Sequence, residues 1–272
     1  MKNSLIRLNS KCFPNKSIII FFTGFFLALT IIFKIDANYT EDLFEQLSDH
    51  IKYDSYKNHE TPQQTALRTM KIIYKLQFEN KKELFAYDPQ TFKGKYMRSS
   101  DLDLLDVSGS CGSASLVLTR TFMTMGYQCR IGQMYLNGHY GGHMVVEVLI
   151  NNHWAVMDPL FNQFFIKSDG TLASFNEVQN NFNYYSKQLQ PDYPKSYKFE
   201  EVRYTNWDKI PLLSPLLKKG LDIIYGKKVA NEICLRKYFI KFYAIWHYVF
   251  LSLFVFFSFL LLKQCRLKTT RI

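Results

Sequence analysis

Two stretches of the chain are apolar on all sides, and the polar region between them changes midway from helical spacing to alternation. Ile18–Phe33 runs sixteen residues without a charge between Lys16 and Lys34. That length falls between a signal-peptide core of about 7–15 residues and a membrane span of about 17–25. It lacks the one-sided apolar stripe of a buried core helix. Cleavage after it would need small residues at the exit, and only Ala37 is offered, with Ile35 two positions earlier. An uncleaved transmembrane signal-anchor over 18–35 is therefore expected ahead of a removed signal peptide. The second run, Phe239–Leu262, is long enough to span, with Lys241 and His247 in its first half. Lys241 is expected to snorkel to the near interface, beside Tyr243, Trp246 and Tyr248.

Residues 38–105 read as mostly helical. Thr61-Pro62 is a helix start, since proline is tolerated at the first helical position, and Leu67, Met70, Ile73 and Tyr74 recur at helical spacing after it. Asp88-Pro89 and Gly94 mark loops. The pattern changes at Ser108-Gly109-Ser110, which offers capping chemistry for a helix from Cys111 to a stop at Gly126. Cys111, Ala114, Leu118, Phe122 and Met125 fall on one stripe of it. Strands follow at Gln128–Leu136, His143–Ile150, His153–Asp158 and Gln163–Lys167, with turns at 137–142 and at Asn151-Asn152, and a further strand at Ser196–Tyr204. A helix followed by an antiparallel meander is α+β.

Composition sharpens this picture mainly through charge. The chain has 272 residues, 47% hydrophobic, and a formal charge of +11. So apolar a chain is not disordered, and five cysteines spread over it do not make a disulfide-dense mini-domain. Lys2, Arg7, Lys11 and Lys16 precede the first apolar run, while Lys263, Arg266, Lys268 and Arg271 follow the last, with no acid in either tail. Those eight residues leave +3 for everything else, so the basicity is a membrane pattern and not a nucleic-acid footprint. The positive-inside rule puts both tails, 1–17 and 263–272, in the cytoplasm and the domain 38–237 outside it, between spans at 18–35 and 239–262. Lys218, Lys219, Lys227, Lys228, Arg236 and Lys237 are basic yet external on this topology, which long translocated loops tolerate. The 216–237 segment, with Leu216, Leu217, Leu221, Ile224 and Val229, reads either as an amphipathic helix on the membrane surface or as a solvated connector.

The candidate chemistry begins at Cys111. A helix start offers free N–H groups and the positive dipole end, which favour a thiolate, although a lone cysteine there is more often a packing residue. The hairpin adds more. If Asn151-Asn152 is a two-residue turn, Ile150 pairs with His153, and counting back sets Val145 opposite Asp158. His143 and Asp158 are then diagonal neighbours on one face, while Met144, Val146, Val148, Ala155 and Met157 form a core face. Taken singly, His143 reads as a satisfied surface histidine and Asp158 as a turn acid before Pro159.

The run Gly109-Ser110-Cys111-Gly112, the helix exit Gly126 to Arg130, His143 with Glu147-Val148, and Trp154 with Asp158-Pro159 resemble the transglutaminase-like superfamily. Its pattern is G-x-C-G, G-x-x-x-R, H-x-x-x-E-V and W-x-x-x-D-P, and the likeness covers about residues 105–165. Gly112 follows the candidate nucleophile, as in bacterial members, where animal transglutaminases carry tryptophan. Met144 follows the histidine, where many members carry an aromatic residue or Ala-Trp. The resemblance implies a papain-like core with Cys111 as nucleophile, His143 as base and Asp158 as orienter. It implies attack on an amide carbonyl, a thioester intermediate, and transfer to an amine or hydrolysis, with no cofactor. The implied partners are a protein, peptide or cell-envelope polymer substrate and the membrane. The competing reading is the same fold as a catalytically idle binding or assembly module.

Other residues carry less. Cys129 reads as core ahead of a disulfide with Cys111 or Cys234. Cys12 and Cys265 flank the spans, where palmitoylation is conceivable. His139 and His153 do not stand at zinc-site spacing. Glu147 shares the His143 face and is a candidate supporter of the site, and Asn38-Tyr39-Thr40 is a glycosylation sequon in a eukaryotic secretory host.

Overall fold

The apolar run at Ile18 folds as the start of a 42-residue helix, α1 (Lys16–Lys57), which continues unbroken past Lys34 into polar sequence. The computed structural model describes residues 16–79, 100–105, 110–205 and 214–269. The expected loops at Asp88-Pro89 and Gly94, the Ser108-Gly109 pair, Cys12 and the ends of both tails lie outside them. The chain divides into two compact units, Met1–Asn38 with Tyr243–Ile272, and Tyr39–Phe242.

In the larger unit, α2 (Pro62–Tyr74) starts where expected. Thr61 Oγ1 accepts from the Gln64 N–H, the Thr61 N–H donates to Gln64 Oε1, and Pro62 occupies the first turn. Met70 and Ile73 are buried, with Ala66 between turns. A π turn at Lys75–Glu79 and α3 (Ser100–Leu105) follow.

Helix α4 (Cys111–Thr124) is capped by Ser110, whose hydroxyl accepts from the Ser113 N–H at 3.4 Å. It ends at Gly126, which takes φ +92°, while the Tyr127 N–H reaches back to the Phe122 carbonyl at 2.9 Å. Ala114, Leu118 and Phe122 of the predicted stripe are fully buried, and each of the larger two contributes roughly 1.5–3 kcal/mol of burial.

The five-stranded antiparallel sheet runs β4-β3-β2-β1-β5, made of β1 (Cys129–Leu136), β2 (His139–Ile150), β3 (His153–Asp158), β4 (Gln163–Phe164) and β5 (Val202–Arg203). The Asn151-Asn152 turn, with φ of 50° and 62°, sets Ile150 against His153 as expected. Three expectations are corrected. The six-residue turn at 137–142 shrinks to Asn137-Gly138, both at positive φ, so β2 begins at His139. The spare residues form a bulge, where pairing jumps from Met134↔His143 to Tyr135↔Tyr140. Gly142 fits there because a Cβ would lie 3.0 Å from that of Leu136. The strand foreseen at 163–167 keeps only two residues plus an Ile166↔Leu172 bridge, and that at 196–204 keeps only Val202–Arg203. Residues 193–199 use their aromatic rings as plugs instead of pairing, with Phe199 at φ +55°.

The third correction concerns the faces. One face packs on α2 and α4 through Val146, Val148, Ala155 and Met157, as expected, whereas Met144 of the expected core face is only partly buried and packs against a separate cluster with Ile131 and Tyr204. The His143 face is also dry, because Val145 and Val156 lie under Phe165, Phe175, Tyr193 and Phe199 from the following segment. That segment carries α5 (Phe175–Asn180), capped by Ser174 with Glu177, and α6 (Phe182–Tyr185). Later come α7 (Ser214–Tyr225), α8 (Lys227–Glu232) and α9 (Phe242–Thr269).

In the smaller unit, α1 and α9 are long and apolar enough to cross a membrane. They run antiparallel along a ladder of rings, Phe22 on Phe257 at 5.3 Å and Phe33 on Phe250 at 5.0 Å. His247 Nδ1 lies 3.1 Å from the Thr30 carbonyl, so the polar ring inside the apolar run is partnered. Lys241 was expected inside the span. Helix α9 begins one residue after it, and Lys241 Nζ pairs with Glu41 at 3.0 Å.

Candidate active site

The pairing of β2 with β3 stops at Val146↔Met157, so β2 runs on toward its bulge without a strand on that side. The start of α4 docks there. The Ser115 hydroxyl donates to the Met144 carbonyl at 3.2 Å, the Met144 N–H donates to the Cys111 sulfur, and Met144 Sδ lies 3.7 Å from where a Gly112 side chain would begin. Cys111 thus sits beside His143, one residue along the strand.

His143 and Asp158 are essentially solvent-free, at 0% and 1% side-chain exposure. His143 Nε2 is 2.6 Å from Asp158 Oδ2, and the same oxygen accepts from the Tyr193 hydroxyl at 2.8 Å. Asp158 Oδ1 accepts from the Leu160 N–H at 3.1 Å. The carboxylate is held by three donors, which fixes the imidazole with Nε2–H toward it. The other ring nitrogen, Nδ1, is buried without a well-formed hydrogen bond, and the ring also interacts with Cys111.

The electrostatics follow from these contacts. Burial pushes the Cys111 thiol up, but the neighbouring His143 ring and the Met144 N–H outweigh it, so the thiol titrates below the ordinary cysteine range. Burial pulls His143 down, but Asp158, by charge and hydrogen bond, and Cys111 raise it to about 9. The imidazole is therefore protonated at neutral pH and the cysteine is biased toward thiolate. Cys111 and Gly112 open the helix, so their N–H groups have no acceptor within it.

An aromatic roof covers the histidine. Tyr197 stacks on its ring at 4.4 Å between centroids, Phe161 lies at 5.9 Å, and Tyr193 meets Phe161 edge-on at 4.9 Å. Burial, then the charges of Cys111 and Asp158, raise the Tyr197 phenol. Neither Tyr193 nor Tyr197 stands out as a site residue in the sequence. The available signal was the density of tyrosine at 184, 185, 193 and 197 in a segment without strand or helix periodicity.

The remaining motif residues gather into a second cluster. The Arg130 guanidinium lies between the rings of Trp154 and Tyr204, 4.2 and 4.0 Å from their centroids. Its Nε donates to Glu147 Oε2 at 2.9 Å and Nη1 to Glu232 at 3.1 Å. Glu147 also accepts from the Tyr204 hydroxyl and, at Oε1, from the Phe175 N–H at 2.9 Å. Glu147 therefore ties β2 to β1, to α5 and to the chain after β5, and its contacts are with Arg130 and not with His143.

Cys129 is a buried free thiol, pushed up to about 12 by burial and donating to the Thr119 carbonyl. Cys234 is buried and free as well, accepting from the Ile131 N–H at 3.4 Å. His153 pairs with Glu177 at 2.9 Å and His139 with the Asn137 carbonyl. Among the described residues no group of three or more acidic, histidine or cysteine side chains is arranged to hold a metal ion.

Fold and site together define an α+β chain with two helices apolar enough to span a bilayer and a buried His–Asp pair beside a helix-start cysteine. Comparison with family models, curated proteins and solved structures finds no match.

Proposed function

We propose that this chain is a membrane-anchored thiol enzyme of the transglutaminase-like kind, with a papain-like core and a Cys111–His143–Asp158 triad. The observation that carries the reading is His143 itself, which holds Asp158 at Nε2 and interacts with Cys111 as well. In the resting state the thiol proton resides on His143 Nδ1. The Cys111 thiolate attacks an amide carbonyl carbon, and the oxygen gathers charge beside the Cys111 and Gly112 N–H groups. His143 passes its proton to the departing amine, leaving a thioester on Cys111. Water or a second amine then gives a proton to His143 as it attacks, and the thiolate is restored. Asp158 keeps the ring oriented and balances its charge throughout.

The antiparallel apolar pair and the basic tails support a topology with both termini cytoplasmic and the 38–237 domain outside. A substrate out there is a protein, a peptide or an envelope polymer. One observation favours the idle-module reading: the roof of Tyr197 and Phe161 leaves His143 without solvent access. A cysteine-directed electrophile separates the two. The enzyme reading expects Cys111 to be labelled faster than a free thiol at neutral pH, with no label at that site in Cys111→Ala. Labelling slower than a free thiol supports the module.

A further inference from the structure

Helices α7 and α8 are short, basic and unusually greasy on the outside. Around α7, Leu216, Leu217, Gly220, Ile223 and Ile224 occupy one broad face, with Lys218, Lys219 and Asp222 on the opposite arc. Leu221 and Tyr225 turn toward a cleft that they line with Trp154 and Cys234, so the sheet accounts for that part of the apolar surface. None of the described residues covers the rest. Leu216 is 73% exposed, Ile223 75% and Ile224 71%, and Val229 of α8 is open as well. Side chains of this size on an outward helix face signify a partner.

We infer that the α7–α8 pair lies in the plane of a phospholipid surface, with Leu216, Ile223 and Ile224 in the acyl boundary and lysines at the headgroups. The inference rests on the reading that α9 crosses a bilayer. Two observations select lipid. Lys218, Lys219, Lys227 and Lys228 outnumber Asp222 and Glu232 along the pair, which complements anionic headgroups. The pair is also tied by a short connection to the apolar helix that begins at Phe242, and that connection carries exposed Tyr238 and Phe239 beside Lys237, the residue types of a membrane interface. An amphipathic helix with leucine and isoleucine on one face and lysine on the other binds such a surface by apolar burial plus charge.

The test uses the full chain with Cys12→Ser, Cys111→Ala and Cys265→Ser, in nanodiscs holding one copy each. A nitroxide is placed in turn at Ile224→Cys, Ile223→Cys, Lys219→Cys and, as a marker within α9, Phe256→Cys. Its collisions with oxygen and with a water-soluble nickel complex are measured in phosphatidylcholine, with and without phosphatidylglycerol. The labels at 223 and 224 are expected to match 256, open to oxygen and closed to nickel, with 219 showing the reverse, and phosphatidylglycerol is expected to deepen 223 and 224. If 256 is in lipid while 223 and 224 stay open to nickel, the surface reading is overturned. If 223 and 224 are closed to both reagents, they are buried against protein, which overturns it too. A nickel-accessible label at 256 removes the membrane reading and this inference with it.

Discussion

His143 Nε2 and Asp158 Oδ2 meet at 2.6 Å across two strands, with both side chains sealed from water. A charged pair so deeply buried is costly unless every lone pair and proton is used. Here Tyr193, the Leu160 N–H and the ring share the carboxylate, while Nδ1 is left to the cysteine. The group left unsatisfied is the one that nucleophilic chemistry would employ.

The roles within the triad differ, and substitution should separate them. Cys111→Ala abolishes activity, since no acyl-enzyme forms, and leaves the fold intact because the side chain is only partly buried. The stability cost is expected at about 1 kcal/mol or less. Asp158→Ala keeps a small residue of activity, because general-base assistance is worth about 10²–10⁴-fold and only part of it is lost. The checks are turnover and thermal unfolding of the purified variants. A folded Cys111→Ala protein that remains as functional in the cell as the parent would displace the enzyme reading.

Glu147 is a structural tie, and its variant should show a different signature. Glu147→Gln leaves Arg130 partly buried without its anion and weakens the bond from Tyr204, while an amide oxygen still serves the Phe175 N–H. Breaking a buried pair in this way costs about 3–5 kcal/mol, less here because Arg130 retains Glu232 and two rings. Calorimetry should show a clear loss of stability, whereas the reactivity of Cys111 in the remaining folded protein stays unchanged.

The contrast between those two clusters shows what the chain reveals on inspection. The Asn151-Asn152 turn was enough to set the β2–β3 register and so to bring His143 and Asp158 together, because side chains alternate with period two. The motif residues Arg130, Glu147 and Trp154 were legible as a pattern, but their mutual contacts were not, since cross-strand neighbours depend on the β1 pairing. The roof was hidden because Tyr193 and Tyr197 come from irregular chain, 35 residues and more beyond Asp158. Arg120 was also hidden. It is a charged residue 2% exposed within α4, and its Nη2 bonds Glu41 on α1, a partner 79 residues earlier that periodicity does not reveal. Burial pushes the Glu41 carboxyl up, but Lys241 and Arg120 outweigh it and hold it below the usual range.

Stability should also report the histidine. His143 keeps its proton up to about pH 9 when folded, against about 6.5 in an unfolded chain. A raised pKa of this kind contributes stability that is complete below pH 6.5 and lost as pH climbs through the folded value. Cys111→Ala removes the titrating thiol and the two smaller contributions that raise the ring, leaving those of Asp158. In that variant the unfolding temperature is expected to fall from pH 6.5 upward, with the loss complete at a lower pH than the parent histidine would give. Cys111→Ala combined with His143→Gln should be flat over the same window.

Membrane placement has its own check. Proteolysis of intact cells should spare the 1–17 and 263–272 tails and cut exposed loops of the 38–237 domain. Cleavage of the tails with a protected middle would reverse the proposed orientation.

The most direct test of the coupled triad is the pH profile of Cys111 alkylation by iodoacetamide, followed by peptide mass spectrometry in the parent chain and in His143→Ala. Burial raises the thiol and His143 lowers it by more, so the parent midpoint is expected below that of an ordinary cysteine. Without the imidazole, burial and the Asp158 charge, which both raise the thiol, are opposed by the Met144 N–H alone, and the midpoint should move upward past the ordinary value. Coincident profiles for the two proteins would contradict the account, because Cys111 would then owe nothing to His143.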